Sequence, residues 1–242
     1  CIAIGSREAR DLSIPGRELK GIHQALDYLV QQNRVVKGET IPDDEIIRAY
    51  DKNVVVIGGG DTGSDCVGTA NRQGARSITQ LELLPKPPEH RTDREPWPLW
   101  PKVLKISSSH EEGCARMWNV STKRFIGDQG RVNQIVACTV EWTTGPDGKP
   151  VMTEVPGSEF TLNAELVLLA MGFIHPVHAG LVNELGLELD ERGNIRINEN
   201  SMTSVDGVFS AGDSSRGASL VVYAIQDGRM AAAAIDRYLS RS

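Results

Sequence analysis

Three glycines, Gly58, Gly60 and Gly63, follow a short apolar run in the spacing G-x-G-x-x-G. In this pattern the first glycine allows a tight turn, the second lets the backbone approach a pyrophosphate, and the third lets a helix pack closely on the preceding strand. A helix that begins at such a turn directs its free N–H groups and the positive end of its dipole toward phosphate groups. The spacing therefore predicts a dinucleotide-binding turn. Its candidate contacts are Gly58, Gly59, Gly60, Asp61, Thr62 and Gly63.

Two predicted strands and a helix position this turn. Residues 54–57 form a β-branched run without a polar interruption, which suits a parallel strand buried on both faces. The helix that follows is predicted to begin near Gly60 and to end near Gly74, a good helix stop. Residues 77–84 form a second strand-like run and complete a βαβ unit. This context favours a true dinucleotide site over chance glycines in an ordinary strand-turn-helix.

Charged residues after the second strand bear on which dinucleotide would bind. Glu82 lies about 20 residues beyond the glycines, where a carboxylate binds the ribose 2′-hydroxyl of NADH. Lys86, Arg91 and Arg94 follow in a proline-rich loop, where cations would instead hold the 2′-phosphate of NADPH. The ordinary alternative for these cations is a solvated face. We favour NADPH, with NADH as the alternative, and name Glu82, Arg91 and Arg94 as candidate contacts.

Composition and charge limit the classes of function. The chain has 242 residues, 40% hydrophobic and 24% charged, enough for one large domain or two ordinary ones. The net charge of −6 and the scattered Lys and Arg residues argue against nucleic-acid binding. Since no apolar run approaches the roughly 20 residues that span a bilayer, and no signal peptide opens the sequence, we expect a soluble, cytoplasmic protein.

The four cysteines, Cys1, Cys66, Cys114 and Cys138, are far apart and form no C-x-x-C pair. This spacing argues against a disulfide scaffold, a zinc site or a redox dithiol. We therefore predict no metal site and expect each cysteine to be a small buried hydrophobe.

Two apolar runs that end in glycine, residues 1–5 and 164–172, are each followed by a loop that contains proline. One explanation is that the chain crosses between two domains at both runs, with the residues between them inserted as a second domain. Chance is the alternative, because apolar strands often end in glycine. The opening on Cys1 instead of Met further predicts a fragment without its N-terminal part.

Between these runs, the patterns predict helices over residues 21–32 and 43–50. An antiparallel meander is predicted over residues 131–162, because apolar and polar residues alternate there and turn signals interrupt them. The candidate inward positions of its first strand are Val132, Ile135, Val140 and Trp142.

A Gly-Asp pair, Gly212 and Asp213, ends a further apolar segment. An Asp at the carboxyl end of a strand can accept hydrogen bonds from a sugar-like polyol. The helix that follows, predicted from about Ser219, would offer its N-terminus to an electron-rich ring edge. The ordinary alternative is a helix-capping Asp.

Several blocks resemble known flavoproteins. Residues 203–213, TSVDGVFSAGD, resemble the T-x(5)-F-A-x-G-D signature of flavoproteins with two dinucleotide-binding domains, the pyridine nucleotide-disulfide oxidoreductase-like proteins. The likeness extends to the family of glutamate synthase β (small) subunits. It is carried by VVVIGGGDTGSDC (54–66), LELLPKPP (81–88), PWPLWP (96–101), TKRFIGD (122–128), AELVLLAMGF (164–173) and SLVVYAI (219–225).

This resemblance implies an α/β fold in which a Rossmann-like three-layer NAD(P)H domain with an antiparallel β-meander is inserted in an FAD domain. The implied boundaries give an NAD(P)H domain at 20–163 and FAD-domain segments at 1–19 and 164–242. The residues implied to bind FAD are Gly172, Gly212, Asp213, Ser219 and Leu220. The family's own FAD-binding glycine motif and cysteine-rich domain have no counterpart in this sequence, so 4Fe-4S clusters are expected only in a missing N-terminal part and FAD retention by this piece stays open.

The implied reaction passes hydride from NADPH to FAD, and electrons then pass through iron–sulfur clusters to the glutamate synthase large (α) subunit. That partner forms L-glutamate from glutamine and 2-oxoglutarate. No acid/base pair is required, so no catalytic residue is named. Two alternatives stay open: another iron–sulfur-linked NAD(P)H:acceptor oxidoreductase subunit, and a non-catalytic NAD(P)-binding module. The block at 81–101 favours glutamate synthase over the first, and the Gly212-Asp213 pair disfavours the second.

Overall fold

The computed structural model describes residues 1–93, 95–98 and 102–240. The chain forms two compact units. The larger unit is Asp11–Met171, and the smaller unit consists of Cys1–Arg10 and the chain from Gly172 onward. The helices and strands of the described residues are β1 (Glu8–Ala9), β2 (Ile22–Gln24), α1 (Ala25–Val36), β3 (Asn53–Ile57), α2 (Asp61–Arg72), β4 (Ser77–Leu81), α3 (Ser108–Glu111), β5 (Ala115–Met117), β6 (Val120–Asp128), β7 (Arg131–Thr144), β8 (Pro150–Glu154), β9 (Phe160–Asn163), β10 (Leu166–Leu169), β11 (Phe173–His175), α4 (Leu181–Glu184), α5 (Asp213–Arg216) and α6 (Val221–Leu239).

A five-stranded parallel sheet in the order β2-β10-β3-β4-β5 lies at the centre of the larger unit. The side chains of β3 alternate between two core clusters, with Val54 and Val56 in one and Val55 and Ile57 in the other. All four are at most 8% exposed. The prediction of a parallel strand buried on both faces is therefore confirmed.

Helices cover one face of this sheet and an antiparallel sheet covers the other. Tyr28 of α1 and Val67 of α2 belong to the core cluster on the helical side. Phe125 of β6 and Ile135 of β7 belong to the cluster on the other side. The unit thus has the three layers of the predicted α/β fold, and the predicted helix after the glycine turn is confirmed as α2.

The antiparallel sheet is built on β7, which pairs with β6, β8 and β9. The predicted inward positions Val132, Ile135 and Val140 are each at most 3% exposed. The fourth predicted position, Trp142, is less exposed than its neighbours Glu141 and Thr143 but is only half-buried. Its indole N–H needs a polar partner and donates to the carbonyl oxygen of Leu83 at 3.1 Å.

Two helix predictions need correction. Residues 22–24 of the predicted helix 21–32 form β2, because they pair in parallel with β10, and the helix begins at Ala25. Residues 43–50 form no helix. There the amide of Gln31 accepts from the Ile47 N–H and donates to the Glu45 carbonyl oxygen, and Gln73 accepts from the Ala49 N–H, so side chains replace helical partners.

The units divide at other residues than the sequence predicts. The predicted boundaries follow residues 19 and 163, whereas the units divide after Arg10 and after Met171. The second difference arises because Leu166–Leu169 is β10, which pairs between β2 and β3. The chain passes between the units at two adjacent points, since the N–H of Arg10 donates to the carbonyl oxygen of Gly172 at 2.9 Å. The assignment of the units to FAD and NAD(P)H stays a prediction.

The smaller unit has its own core, which contains Ile2, Val182, Leu187 and Ile195. The apolar segment before Asp213 is strand-like only through isolated pairings of two of its residues. Among the described residues, no helix is both long and apolar enough to cross a membrane.

Candidate dinucleotide-binding site

The turn after β3 requires glycine at its first position. Gly58 has a φ of +125°, a conformation that residues with a side chain rarely adopt. A Cβ added there would also overlap the carbonyl oxygen of Ala170, the residue that follows β10. The N–H of Gly58 donates to the carbonyl oxygen of Leu81 at 2.8 Å, which ties the turn to the end of β4. Backbone conformation and close packing therefore both select the first glycine of the motif.

The other two glycines of the motif have different roles. Gly60 is the N-cap of α2, and a Cβ added there would meet no heavy atom within 4 Å. Its backbone faces open space at the N-terminus of a twelve-residue helix, and it has no side chain to cap the first N–H groups. A Cβ added at Gly63 would lie 2.5 Å from the carbonyl oxygen of Gly58, so this glycine lets the helix pass close to the turn. Asp61 and Thr62, which lie between Gly60 and Gly63, are the first two residues of α2. This cradle fits a pyrophosphate group.

Glu82, the predicted ribose contact, lies beside the turn and is paired with an arginine. A Cβ added at Gly59 would overlap the Glu82 carboxylate. Arg116 of β5 donates from Nη2 to Glu82 Oε1 at 2.8 Å, and the two side chains are only 12% and 14% exposed. Arg116 also donates from Nη1 to the carbonyl oxygen of Lys105 at 3.0 Å. The turn is thus flanked by a salt bridge between a carboxylate and a guanidinium group.

Two cations lie near the ring of Trp118 at this end of the sheet. The guanidinium carbon of Arg116 lies 5.0 Å from the centroid of a Trp118 ring, and Lys86 Nζ lies 5.5 Å from such a centroid. Arg91 lies in the exposed loop, and its Nη1 donates to the carbonyl oxygen of Glu95 at 2.7 Å. Arg94 lies outside the described residues. Among the described residues, Arg116 is therefore the cation that pairs with Glu82, and Lys86 lies near the same tryptophan as Arg116.

A buried polar network supports the turn from behind. Gln80 of β4 is fully buried, and its Nε2 donates to the carbonyl oxygen of Gly58 at 2.8 Å. Its Oε1 lies 2.9 Å from His110 Nε2. Burial, with a smaller contribution from Arg116, lowers the pKa of His110 below its usual value, so the ring is neutral at pH 7.

The predicted FAD contacts lie in the smaller unit. Gly212, with φ +68°, is the N-cap of the short helix α5, so Asp213 is the first helical residue and not its cap. Asp213 Oδ1 accepts a hydrogen bond from Ser219 Oγ at 2.7 Å, and Leu220 is the N-cap of α6. A Cβ added at Gly172, φ +82°, would meet no heavy atom within 4 Å. Asp213 is half-buried, and its carboxylate fits the predicted hydrogen bonds to a polyol.

A family model described as pyridine nucleotide-disulphide oxidoreductase matches residues 1–228. The chain belongs to this family. The sequence is 50% identical over 244 residues to the glutamate synthase [NADPH] small chain of Mycobacterium tuberculosis (strain ATCC 25618 / H37Rv), covering 100% of the chain and 49% of the relative. It is 42% identical to the glutamate synthase [NADH] of Schizosaccharomyces pombe (strain 972 / ATCC 24843), covering 97% of the chain and 12% of the relative. The chain spans about half the length of the small chains it matches. The resemblance described from the sequence blocks is confirmed.

Two solved structures share the fold. Mycobacterium tuberculosis FprA in complex with NADPH superposes with a TM-score of 0.70 at 17% identity, covering 99% of this chain and 63% of that one. A thioredoxin reductase of T. acidophilum gives a TM-score of 0.57 at 20% identity, covering 96% and 63%. The predicted fold class, a Rossmann-like α/β unit with antiparallel strands, is confirmed.

The cysteines of this pyridine nucleotide-disulphide oxidoreductase family member are all free. Cys66 and Cys138 are buried as predicted, whereas Cys114 is half-buried and Cys1 is exposed, so the prediction is wrong for the last. Burial raises the pKa of the Cys66 thiol to about 12, which keeps it protonated. Among the described residues, no group of three or more His, Cys, Asp or Glu side chains is placed to hold a metal ion.

Sequence reasoning missed Arg116, Gln80 and His110. Gln80 carried a usable signal, because an amide side chain inside a strand of a buried parallel sheet must find a buried partner. Arg116 and His110 carried none, since the pairing of β5 with β4 brings Arg116 to Glu82, and α3 brings His110 to Gln80. Both contacts join residues about thirty positions apart along the chain.

Proposed function

We propose that this chain is the NADPH- and FAD-binding part of a glutamate synthase small subunit. The observation that carries the proposal is the cradle at the start of α2, where Gly60 is open to a ligand and Glu82 and Arg116 flank the turn. The names of the relatives, glutamate synthase small chains at 50% and 37% identity, support the choice within the family.

The roles of the residues follow from their positions. The N–H groups of Asp61 and Thr62 at the start of α2 would bind the pyrophosphate, with Gly60 allowing its close approach. Glu82 and Arg116 would contact the adenosine ribose. Asp213, with Ser219 and Leu220, would bind the polyol and ring edge of FAD. When bound, the two cofactors supply the hydride transfer itself, so the chain contributes binding and orientation.

NADPH is the proposed coenzyme, because the carboxylate at the ribose position does not act alone. An unpaired Glu82 would repel a 2′-phosphate, whereas Arg116 at 2.8 Å offsets its charge and brings further N–H donors to the same place. Lys86, on the Trp118 ring, adds positive charge nearby. NADH is the alternative, and one relative that the chain resembles is named for it.

The electron path beyond FAD is the part of the proposal that rests on the resemblance. We propose that electrons pass through 4Fe-4S clusters in a part of the protein outside this chain to a glutamate synthase large subunit, in the cytoplasm. The free, separated cysteines support an exit other than disulfide exchange. The large subunit would use the electrons to form L-glutamate from glutamine and 2-oxoglutarate.

Reconstitution tests this function. The full-length protein is combined with its large subunit, and NADPH oxidation is followed with glutamine and 2-oxoglutarate together and with each omitted. The proposal expects oxidation that needs both substrates and yields glutamate. Flavin reduction without glutamate formation would favour another iron–sulfur-linked oxidoreductase. Binding of NADPH without flavin reduction would favour a non-catalytic module.

A further inference from the structure

A cavity of about 590 Å³ lies in the larger unit, at the end of the parallel sheet opposite to the dinucleotide turn. Lys20 and Lys52 line this cavity, and they lie two residues before β2 and directly before β3. Gly58 of the dinucleotide turn directly follows the other end of β3. Since a strand of this length spans about 17 Å, the cavity is a separate place from the dinucleotide turn.

Cationic side chains dominate the lining of this cavity. Among the described residues they are Lys20, Arg48, Lys52 and Arg131. Arg48 is paired with Asp43, with 2.7 Å between Nη2 and Oδ1. The other three have no carboxylate of the described residues within 4 Å of their side-chain nitrogens. Asp44 is the second acidic side chain of the lining, so four cations and two carboxylates leave an excess of two positive charges.

Backbone structure brings the three unpaired cations together. Lys20 and Arg131 form an isolated parallel bridge, in which the Val132 N–H donates to the Lys20 carbonyl oxygen at 2.9 Å. The Lys52 N–H donates to the Ala49 carbonyl oxygen at 3.1 Å, which fixes the chain just before β3. A ligand would therefore not have to assemble these residues, and this preorganisation lowers the entropy that binding loses.

The cluster of like charges is unfavourable at Lys52, which is half-buried. Burial lowers the pKa of Lys52 below its usual value, and the charge of Arg131 lowers it further. Arg48 acts in the same direction, whereas Glu165 raises this pKa. The Glu165 carboxylate already has another partner, since its Oε2 accepts from the Asn53 N–H at 2.7 Å. A negative charge in the cavity would therefore stabilise the charged form of Lys52.

The size and the apolar part of the lining indicate an organic ligand. The cavity is far larger than the roughly 30 Å³ that one water molecule occupies, and it lies within the range of sites for small molecules. Ile46 and Tyr50 add apolar surface to the lining. A guanidinium group such as that of Arg131 can bind a carboxylate or a phosphate with two N–H groups.

We propose that this cavity binds a small organic molecule with two negative charges, a dicarboxylate or a phosphate monoester, through Lys20, Lys52 and Arg131. Both ligand classes carry the oxyanion groups that these cations recognise, and two negative charges match the excess charge of the lining. The inference goes beyond the proposed function and does not rest on it.

Isothermal titration calorimetry of the full-length protein tests the inference, with succinate and with glycerol 3-phosphate as the two probes at constant ionic strength. We expect saturable binding of at least one probe to the wild type, and the tighter probe distinguishes the dicarboxylate from the phosphate class. Arg131→Gln should raise the Kd about tenfold or more, because it removes hydrogen bonds to a charged group. Lys52→Met, which keeps an apolar stem in the half-buried position, should have a similar effect. Lys149→Gln is the matched control, since this exposed lysine lies in the turn at the other end of β7 from Arg131, and it should bind like the wild type.

Gly60→Ala distinguishes this cavity from the dinucleotide turn, which could itself attract a phosphate group. We expect Gly60→Ala to bind the probes like the wild type. Probe binding that is lost in Gly60→Ala and kept in Arg131→Gln would place the anion at the dinucleotide turn and overturn the inference. The inference would also be wrong if neither probe bound the wild type, or if Arg131→Gln and Lys52→Met kept the wild-type Kd. None of these results would affect the proposed function, which fails instead if the wild type does not bind NADP⁺.

Discussion

Alanine substitutions at two glycines of the motif, Gly58 and Gly60, are predicted to have different effects, the first on stability and the second on NADP⁺ affinity. Gly58→Ala forces a side chain into a backbone conformation at φ +125° and drives its Cβ into the carbonyl oxygen of Ala170. A left-handed conformation in a non-glycine residue and an overpacked contact with backbone together cost about 3–5 kcal/mol. Because Ala170 directly follows a central strand, the turn cannot move away without disturbing β10.

Gly60→Ala provides the matched control. Its φ is −79°, and its Cβ would meet no protein atom within 4 Å, so the free energy of unfolding should fall by less than about 1 kcal/mol, the cost of an alanine N-cap. The new methyl group would instead occupy the space in which a pyrophosphate approaches the backbone. We expect the Kd of NADP⁺ to rise by at least about tenfold, or 1.4 kcal/mol.

Urea unfolding and NADP⁺ titration of the two full-length variants decide the question. The reasoning expects a large loss of stability in Gly58→Ala and a nearly pure loss of affinity in Gly60→Ala. A Gly58→Ala protein as stable as the wild type would refute the assigned packing. Wild-type NADP⁺ affinity in Gly60→Ala would refute the assignment of this turn to the pyrophosphate.

Three further outcomes are expected. In steady-state kinetics, Arg116→Ala should raise the KM for NADPH about tenfold or more and change the KM for NADH far less, because a hydrogen bond to a charged group contributes about 1.5–3 kcal/mol. Arg91→Ala, in the exposed loop, should change the ratio of the two KM values less. Equal KM ratios in the two variants would contradict the role of Arg116. Asp213→Asn should lower the FAD content of the purified full-length protein, measured by absorbance against protein concentration, and unchanged content would remove Asp213 from the site. Gly68→Ala should lower the melting temperature and weaken NADP⁺ binding, since its Cβ displaces Ser109 of α3 at an overpacking cost of about 1–3 kcal/mol.

Local sequence was sufficient for the elements whose pattern and packing agree. The β-branched run of β3 and the three glycines after it predicted both the buried strand and the turn, because Gly58 and Gly63 meet steric demands of the turn and Gly60 leaves its N-cap position open. The strand β7 was predicted from its alternation of apolar and polar residues, although residues 135–138 in its middle are all buried. The prediction that Glu82 lies near the glycine turn also followed from the length of a βαβ unit.

Long-range pairing decided the rest. Ile22 fits the helical spacing of apolar residues that continues into α1. Residues 22–24 nevertheless form a strand, because they pair in parallel with residues 167–169. Because the strand at residues 167–169 belongs to the larger unit, the boundary lies after Met171 and not after residue 163. Arg116 and His110 reach the site only because β5 and α3 pack against β4 and α2, and no spacing along the chain encodes those contacts. These are the residues that decide how the turn is charged and supported.

The visible absorption spectrum of the purified full-length protein, before and after anaerobic addition of NADPH and then of NADH, tests the central claim most directly. The account predicts flavin bands that bleach with NADPH, at lower concentration than with NADH, and that do not bleach at the same NADPH concentration in Gly60→Ala. Flavin that stays oxidised with both nucleotides in the wild type would contradict it.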